Sequence, residues 1–157
     1  MEFREIIRGF GEKLGIDGLS PDETNACHVD IDDMTVSFME NPETATVVTW
    51  AEICEPPENG EGLLYRVLME SMFMGRGTAG SSFSVESESG KIFLHRVDST
   101  AALDLDSFCA MLETFVNTLE RWRAMIADFR PVVETVREAD AEAAQMTGYG
   151  VNGFMQV

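Results

Sequence analysis

The chain is poor in the residues that most enzyme chemistry requires. It has two histidines, His28 and His95, and three cysteines, Cys27, Cys54 and Cys109, with no C-x-x-C among them. The cysteines lie far apart, each inside an apolar pattern, which reads as reduced core thiols rather than a disulfide framework or a zinc site. No G-x-S-x-G elbow occurs, and Ser81, Ser82, Ser84, Ser87 and Ser89 read as hairpin residues. Each histidine falls in an expected strand with no serine or cysteine at nucleophile spacing, so both read as surface imidazoles rather than general bases. Basic side chains are scarce as well: eleven Lys and Arg stand against 28 Asp and Glu, a formal charge of −17. Such an excess repels nucleic acid and anionic membranes, leaving neutral, basic or apolar partners. No apolar run approaches the roughly 18 residues of a membrane span, and the opening MEFREIIRGFGEKLG interleaves charge with apolar residues, unlike a signal peptide. Together these absences point to a cytoplasmic protein that is no enzyme and has no cofactor or metal.

Two patterns that resemble ligand sites fail on context. Gly75, Gly77 and Gly80 fit G-x-G-x-x-G by letters, but a dinucleotide fingerprint follows a strand and opens a helix, whereas this one follows an expected helix and opens an expected strand. Asp30, Asp32 and Asp33 lack calcium-loop spacing and a glutamate at its twelfth position, so they read as a solvated strand edge and turn.

What is present is a clear sequence of amphipathic elements. Phe3, Ile6, Ile7, Phe10 and Leu14 line one face of a first helix that ends near Gly15. Cys27, Val29 and Ile31 then alternate with polar residues, Asp32 and Asp33 turn the chain, and a second strand, Thr35 to Glu40, points Val36 and Phe38 inward. A third strand, Ala45 to Cys54, is apolar on both faces, so something must cover its second side. Phe83 and Val85 answer Ile92 and Leu94 across a turn at Ser89 and Gly90. Asp104 or Asp106 caps a long last helix whose stripe runs through Leu105, Phe108, Cys109, Leu112, Phe115, Val116, Leu119, Trp122 and Ile126. The order is helix, three antiparallel strands, helix, β-hairpin, helix, an α+β fold occupying residues 1–130. Residues 131–146 read as a helical extension beginning at Pro131, and residues 147–157, with three glycines, as a flexible tail dispensable for folding.

The second helix, EGLLYRVLMESMFM from Glu61 to Met74, is apolar nearly all the way round. Leu64, Val67, Leu68 and Met72 form one face and Tyr65, Met69 and Phe73 most of the other, so such a helix requires two partners. One is the domain's own sheet and the other a second copy of the chain. This predicts a homodimer centred on Tyr65, Met69, Met72 and Phe73, with Phe93 of the hairpin beside them.

Taken in order, LSPDETNACHVDIDD (Leu19 to Asp33), TVVTWAEICEPPENGEGLL, VLMESMFMGRGTAGSSFSVE, KIFLHRVD and LDLDSFCAMLETFVNTLERW resemble the class I type III secretion chaperones, the Tir chaperone family. The likeness covers about residues 3 to 126 and lies in the order and spacing of five segments, not in one motif. Ser71, where the family often has Asn or Ala, and the extension after Arg130 depart from it. The resemblance implies a bacterial, cytoplasmic homodimer that binds an extended N-terminal segment of a secreted effector or translocator, keeps it soluble, and delivers it to the secretion apparatus and its ATPase. A dimeric interaction protein of the same fold without a secretion role is the alternative reading. Binding of that kind uses apolar grooves and sheet edges, and ten methionines suit an adaptable surface. The expected client positions are Thr35, Ser37 and Met39 on the second strand and Val47 and Thr49 on the third, if Val48 and Trp50 point inward. Arg4 and Arg8 on the first helix would add charge contacts.

Overall fold

A computed structural model describes residues 2–130. The sequence-predicted extension and tail, residues 131–157, lie outside them. The elements are α1 (Phe3–Leu14), β1 (Ala26–Ile31), β2 (Met34–Asn41), β3 (Thr46–Cys54), α2 (Glu61–Met72), β4 (Ser82–Val85), β5 (Ile92–Ser99) and α3 (Leu105–Ala127). The five strands form one antiparallel sheet in the order β1-β2-β3-β5-β4, which leaves β1 and β4 as its edges. This is the α+β order expected from the sequence.

Local chemistry explains the boundaries. α1 stops at Gly15, whose φ of +71° suits a residue without Cβ, and the Gly15 and Ile16 amides close on the carbonyls of Glu12 and Gly11. Leu14 therefore falls at the fraying end and is half exposed, outside the apolar stripe expected of it. α3 starts at Asp104, whose carboxylate accepts from the Ser107 amide at 2.8 Å while Ser107 Oγ accepts from the Asp104 amide at 2.8 Å. α2 is two residues shorter than its apolar run predicts, because the chain tightens into a 3₁₀ turn at Phe73–Gly75.

The core lies between one face of the sheet and the helices. Phe10 of α1, Phe38 of β2 and Phe108 of α3 meet there, with ring centroids 5.4 Å apart for Phe10 and Phe108 and 5.2 Å for Phe38 and Phe108. Val29, Val36, Phe38, Val47, Ala51, Ile53, Ile92 and Leu94 supply the sheet's inward face, and Leu64 and Leu68 of α2 join the same cluster. The hairpin pairs as the sequence predicts, Phe83 opposite Leu94 and Val85 opposite Ile92.

The third strand faces the opposite way from its expectation. Phe38 pairs with Thr49 and Val36 with Ala51. Directly opposed residues of antiparallel strands share a face, so the inward Phe38 and Val36 carry Thr49 and Ala51 into the core. Val47 and Thr49 are fully buried, while Val48 and Trp50 point outward and stay half-buried.

Candidate functional site

The register of β3 defines the outward face of the sheet. A continuous row of opposed residues crosses all five strands: His28, Ser37, Trp50, His95 and Ser82. His28 Nδ1 lies 2.7 Å from Ser37 Oγ, and the imidazole stands edge-on to Trp50, with centroids 6.3 Å apart at 89°. The neighbouring row brings Met39, Val48 and Val97 together. On the other side of Trp50 lie Glu52, Phe93 and Ser84, also opposed across their strands.

This face is apolar along Met39, Val48, Trp50 and Val97, carries His28, Ser37 and His95 in the Trp50 row, and is open among the described residues. Met39 is 37% and Val97 58% exposed, and Val48, Trp50 and Phe93 are half-buried by their neighbours alone. Its charges sit at the rim, where Asp30 accepts from the Thr35 hydroxyl at 2.7 Å and Glu52 pairs with Lys91 at 2.8 Å. His95 Nδ1 is buried without a hydrogen-bonding partner. Such an apolar, polar-rimmed surface suits another polypeptide better than a small polar substrate.

Of the expected client positions, Thr35 and Met39 are exposed on this face. Ser37 shares it but is only 6% exposed, since His28 and Trp50 flank it and its hydroxyl is taken by His28. Val47 and Thr49 are corrected: both are inside the core, so neither is accessible, and Thr49 buries a hydroxyl without a partner. Val48, Trp50 and Val97 stand on the open face in their stead. The signal for them was the inward Phe38 combined with pairing arithmetic. That arithmetic depends on the turn before β3, where Ala45 takes φ +52° without the glycine or asparagine that marks such positions. Arg4 and Arg8 lie on α1, in the helical layer rather than on the open face. Arg4 reaches the Pro21 carbonyl at 3.4 Å, and Arg8 stands 4.0 Å from Glu12. A bound segment would have to pass round the β1 edge to touch them and Met39 together.

A second apolar surface is the exposed end of α2. Met69 is 68%, Phe73 66% and Met74 77% exposed, with Leu63 along the same helix at 36%. Met74 was not singled out by its sequence, and its φ of +56° is uncommon for a residue with a side chain. Tyr65 and Met72 are half-buried: Tyr65 donates to Glu61 at 2.5 Å, which holds its hydroxyl pKa up at about 12, and Met72 Sδ accepts from the Phe83 amide at 3.1 Å. Phe93 lies on the outward sheet face. Of the five expected dimer residues, Met69 and Phe73 are thus the ones left with a large apolar surface uncovered among the described residues.

Gly75 to Gly80 forms a loop between α2 and β4, and its Gly77 carbonyl is occupied by Trp122 Nε1 and Arg121. Burial raises the thiol pKa of Cys27 and Cys54, making them poorer nucleophiles. No group of three metal-ligating side chains occurs among the described residues, and no described helix is long and apolar enough to cross a membrane.

Known structures share the fold. A chain of the ExsC–ExsE complex superposes with a TM-score of 0.69 at 21% identity, covering 79% of this chain and 96% of that one. A chain of the HopA1–SchA chaperone–effector complex gives 0.65 at 12% identity over 78% and 93%. The structure of the Yersinia pestis type III secretion chaperone SycH with a stable fragment of YscM2 gives 0.60 at 15% identity over 77% and 99%. At these identities the likeness is one of fold. No curated protein is significantly similar in sequence. Residues 5–123 match the Tir chaperone protein (CesT) family, and with that match running from α1 into α3 over most of the chain, the chain belongs to this family.

Proposed function

We propose that this protein is a cytoplasmic type III secretion chaperone. It binds an extended N-terminal segment of a secreted effector or translocator and keeps it soluble and secretion-competent, without catalysis. Family membership and the chaperone–effector complexes among its fold relatives support the reading. The observation that carries it is the open face of Met39, Val48, Trp50 and Val97 beside β1, an edge strand of the sheet. An extended client adds backbone hydrogen bonds at the edge and side chains on the face. Because a client that orders on binding gives up entropy, a wide, shallow surface serves better than a small pocket.

The active form in this reading is a homodimer joined through Met69, Phe73 and Met74, with Tyr65, Met72 and Phe93 flanking them, and it delivers its cargo to the secretion apparatus and its ATPase. The test is co-expression with N-terminal segments of the secreted effectors and translocators of the same bacterium, followed by co-purification and titration of the purified pair. A soluble complex that forms with such a segment, and is lost in Met39→Asp/Val48→Asp, is the expected result. Failure to hold any of these segments, with the chain folded and dimeric, would favour an interaction protein without a secretion role.

A further inference from the structure

We propose that residues 143–157 of this chain cover the Met39, Val48, Trp50 and Val97 face when no client is bound, so that the tail and a client compete for one surface. The proposal rests on the reading of that face as the client site and concerns its regulation. Three observations lead to it.

The first is charge. A quarter of the chain's residues are charged, yet Ala143 to Val157 contain no Asp, Glu, Lys or Arg, directly after a stretch that holds Glu134, Arg137, Glu138, Asp140 and Glu142. In a protein of net charge −17, an acidic segment is repelled from an acid-rimmed surface and an uncharged one is not. The second is pattern. Tyr149, Val151, Met155 and Val157 fall on one alternating series, with Gly153 between the two pairs, so on an extended chain they share one side. That side is matched in character by the apolar face, whose centre carries no carboxylate, lysine or arginine.

The third is reach. Ile126, Ala127 and Phe129, at the end of α3, line one cavity with Ile53, Cys54 and Pro57, at the end of β3, on the helical side of the sheet. From Cys54 back to Val48 is about 20 Å along a strand. Residues 131–142 bridge up to about 40 Å if extended, enough to pass over the end of β3 to the open side and bring the uncharged segment onto the face; as a helix of about 18 Å they would leave that crossing to the uncharged segment itself. A tether of that length sets an effective concentration on the order of millimolar, at which even weak apolar contact holds the segment in place while leaving it displaceable.

The experiment compares alkylation of Val97→Cys, read by mass spectrometry at that residue, in the full chain and in a chain ending at Glu142. Protection should be several-fold greater in the full chain, should not change on dilution, and should return to the shortened chain on adding a peptide with the sequence of residues 143–157. Tyr149→Asp/Val151→Asp/Met155→Asp in the full chain should lift protection as truncation does, which serves as the control should the shortened chain fold poorly. Equal rates in the two forms overturn the proposal, as does protection that disappears on dilution, since a second copy would then be the cover. Effector-segment capture measured on the same pair separates the two readings. Equal capture with equal alkylation removes the tail and leaves the chaperone, whereas a shielded Val97→Cys in forms that capture nothing removes the chaperone reading alone.

Discussion

Trp122 Nε1 donates to the Gly77 carbonyl at 2.8 Å, linking the last turns of α3 to the glycine loop that follows α2. Arg121 donates to the same oxygen at 2.6 Å, and the Trp122 ring stands edge-on to Phe83 at 5.0 Å. The Gly77 amide in turn donates to the Ser71 carbonyl at 3.0 Å, so α3 holds the loop against α2 beside the exposed Phe73 and Met74. Trp122→Phe should cost about 1–3 kcal/mol through the lost hydrogen bond and packing, measured by urea unfolding. Gly77→Ala tests the same contact from the other side. Its Cβ would lie 2.8 Å from the Ser71 carbonyl oxygen, so the loop must shift, and a stability unchanged from the parent would contradict the packing described.

The exposed end of α2 predicts the oligomeric state. Light scattering should give twice the 17.4 kDa chain mass at micromolar concentration. Met69→Asp/Phe73→Asp should yield a folded monomer, since each buried apolar side chain contributes roughly 1.5–3 kcal/mol and appears twice in a symmetric contact. A parent chain that is monomeric at that concentration would sink the dimer.

The direction of β3 is tested by a pair of adjacent substitutions. Val47→Asp places an unpaired charge in the core and should cost about 3–5 kcal/mol, a large part of a domain's stability. Val48→Asp, one residue on, should stay within about 1 kcal/mol of the parent. Thermal melts in which the two exchange ranks would show the strand slipped by one residue, with every side chain reversed.

Asp104 predicts an acid-sensitive helix start. Hydrogen bonds from the Ser107 hydroxyl and amide hold its carboxyl below the ordinary aspartate value. The folded protein therefore releases this proton more readily than the unfolded chain does. The resulting stabilisation is present above the unfolded value of about 3.9 and is lost as pH falls through the lower folded value. Asp104→Asn retains the capping oxygen without the ionisation, so the difference in melting temperature between parent and variant should shrink from pH 6 to pH 3. A difference constant over that range would show that the carboxylate adds nothing at this cap.

Wherever one face of an element is apolar and the other polar, the sequence by itself determined the outcome. Phe3, Ile6, Ile7 and Phe10 bury because the opposite side of α1 is charged, and Phe83 meets Leu94 because alternating strands joined by a turn pair in the register that puts Phe83 over the buried Leu94 and Ile92, although Val85 stays exposed. Asp104 marks the start of α3 because its carboxylate serves an amide that the helix cannot. The same logic identified α2 as a helix with a spare apolar side, and Met69 on it and Phe73 in the turn after it remain exposed.

β3 lay beyond such reasoning. Val47, Ala51 and Ile53 on one side and Val48 and Trp50 on the other are about equally apolar, so burial energy alone does not choose between them. The choice was made by Phe38 and Val36, which bring Thr49 and Ala51 with them through the β2 pairing, and by Ala45 closing the preceding turn. Pairing is a relation between strands, and one strand's pattern does not contain it. For that reason only the tertiary structure could turn Trp50 outward between His28 and His95 and assemble the open face on which the proposed function depends.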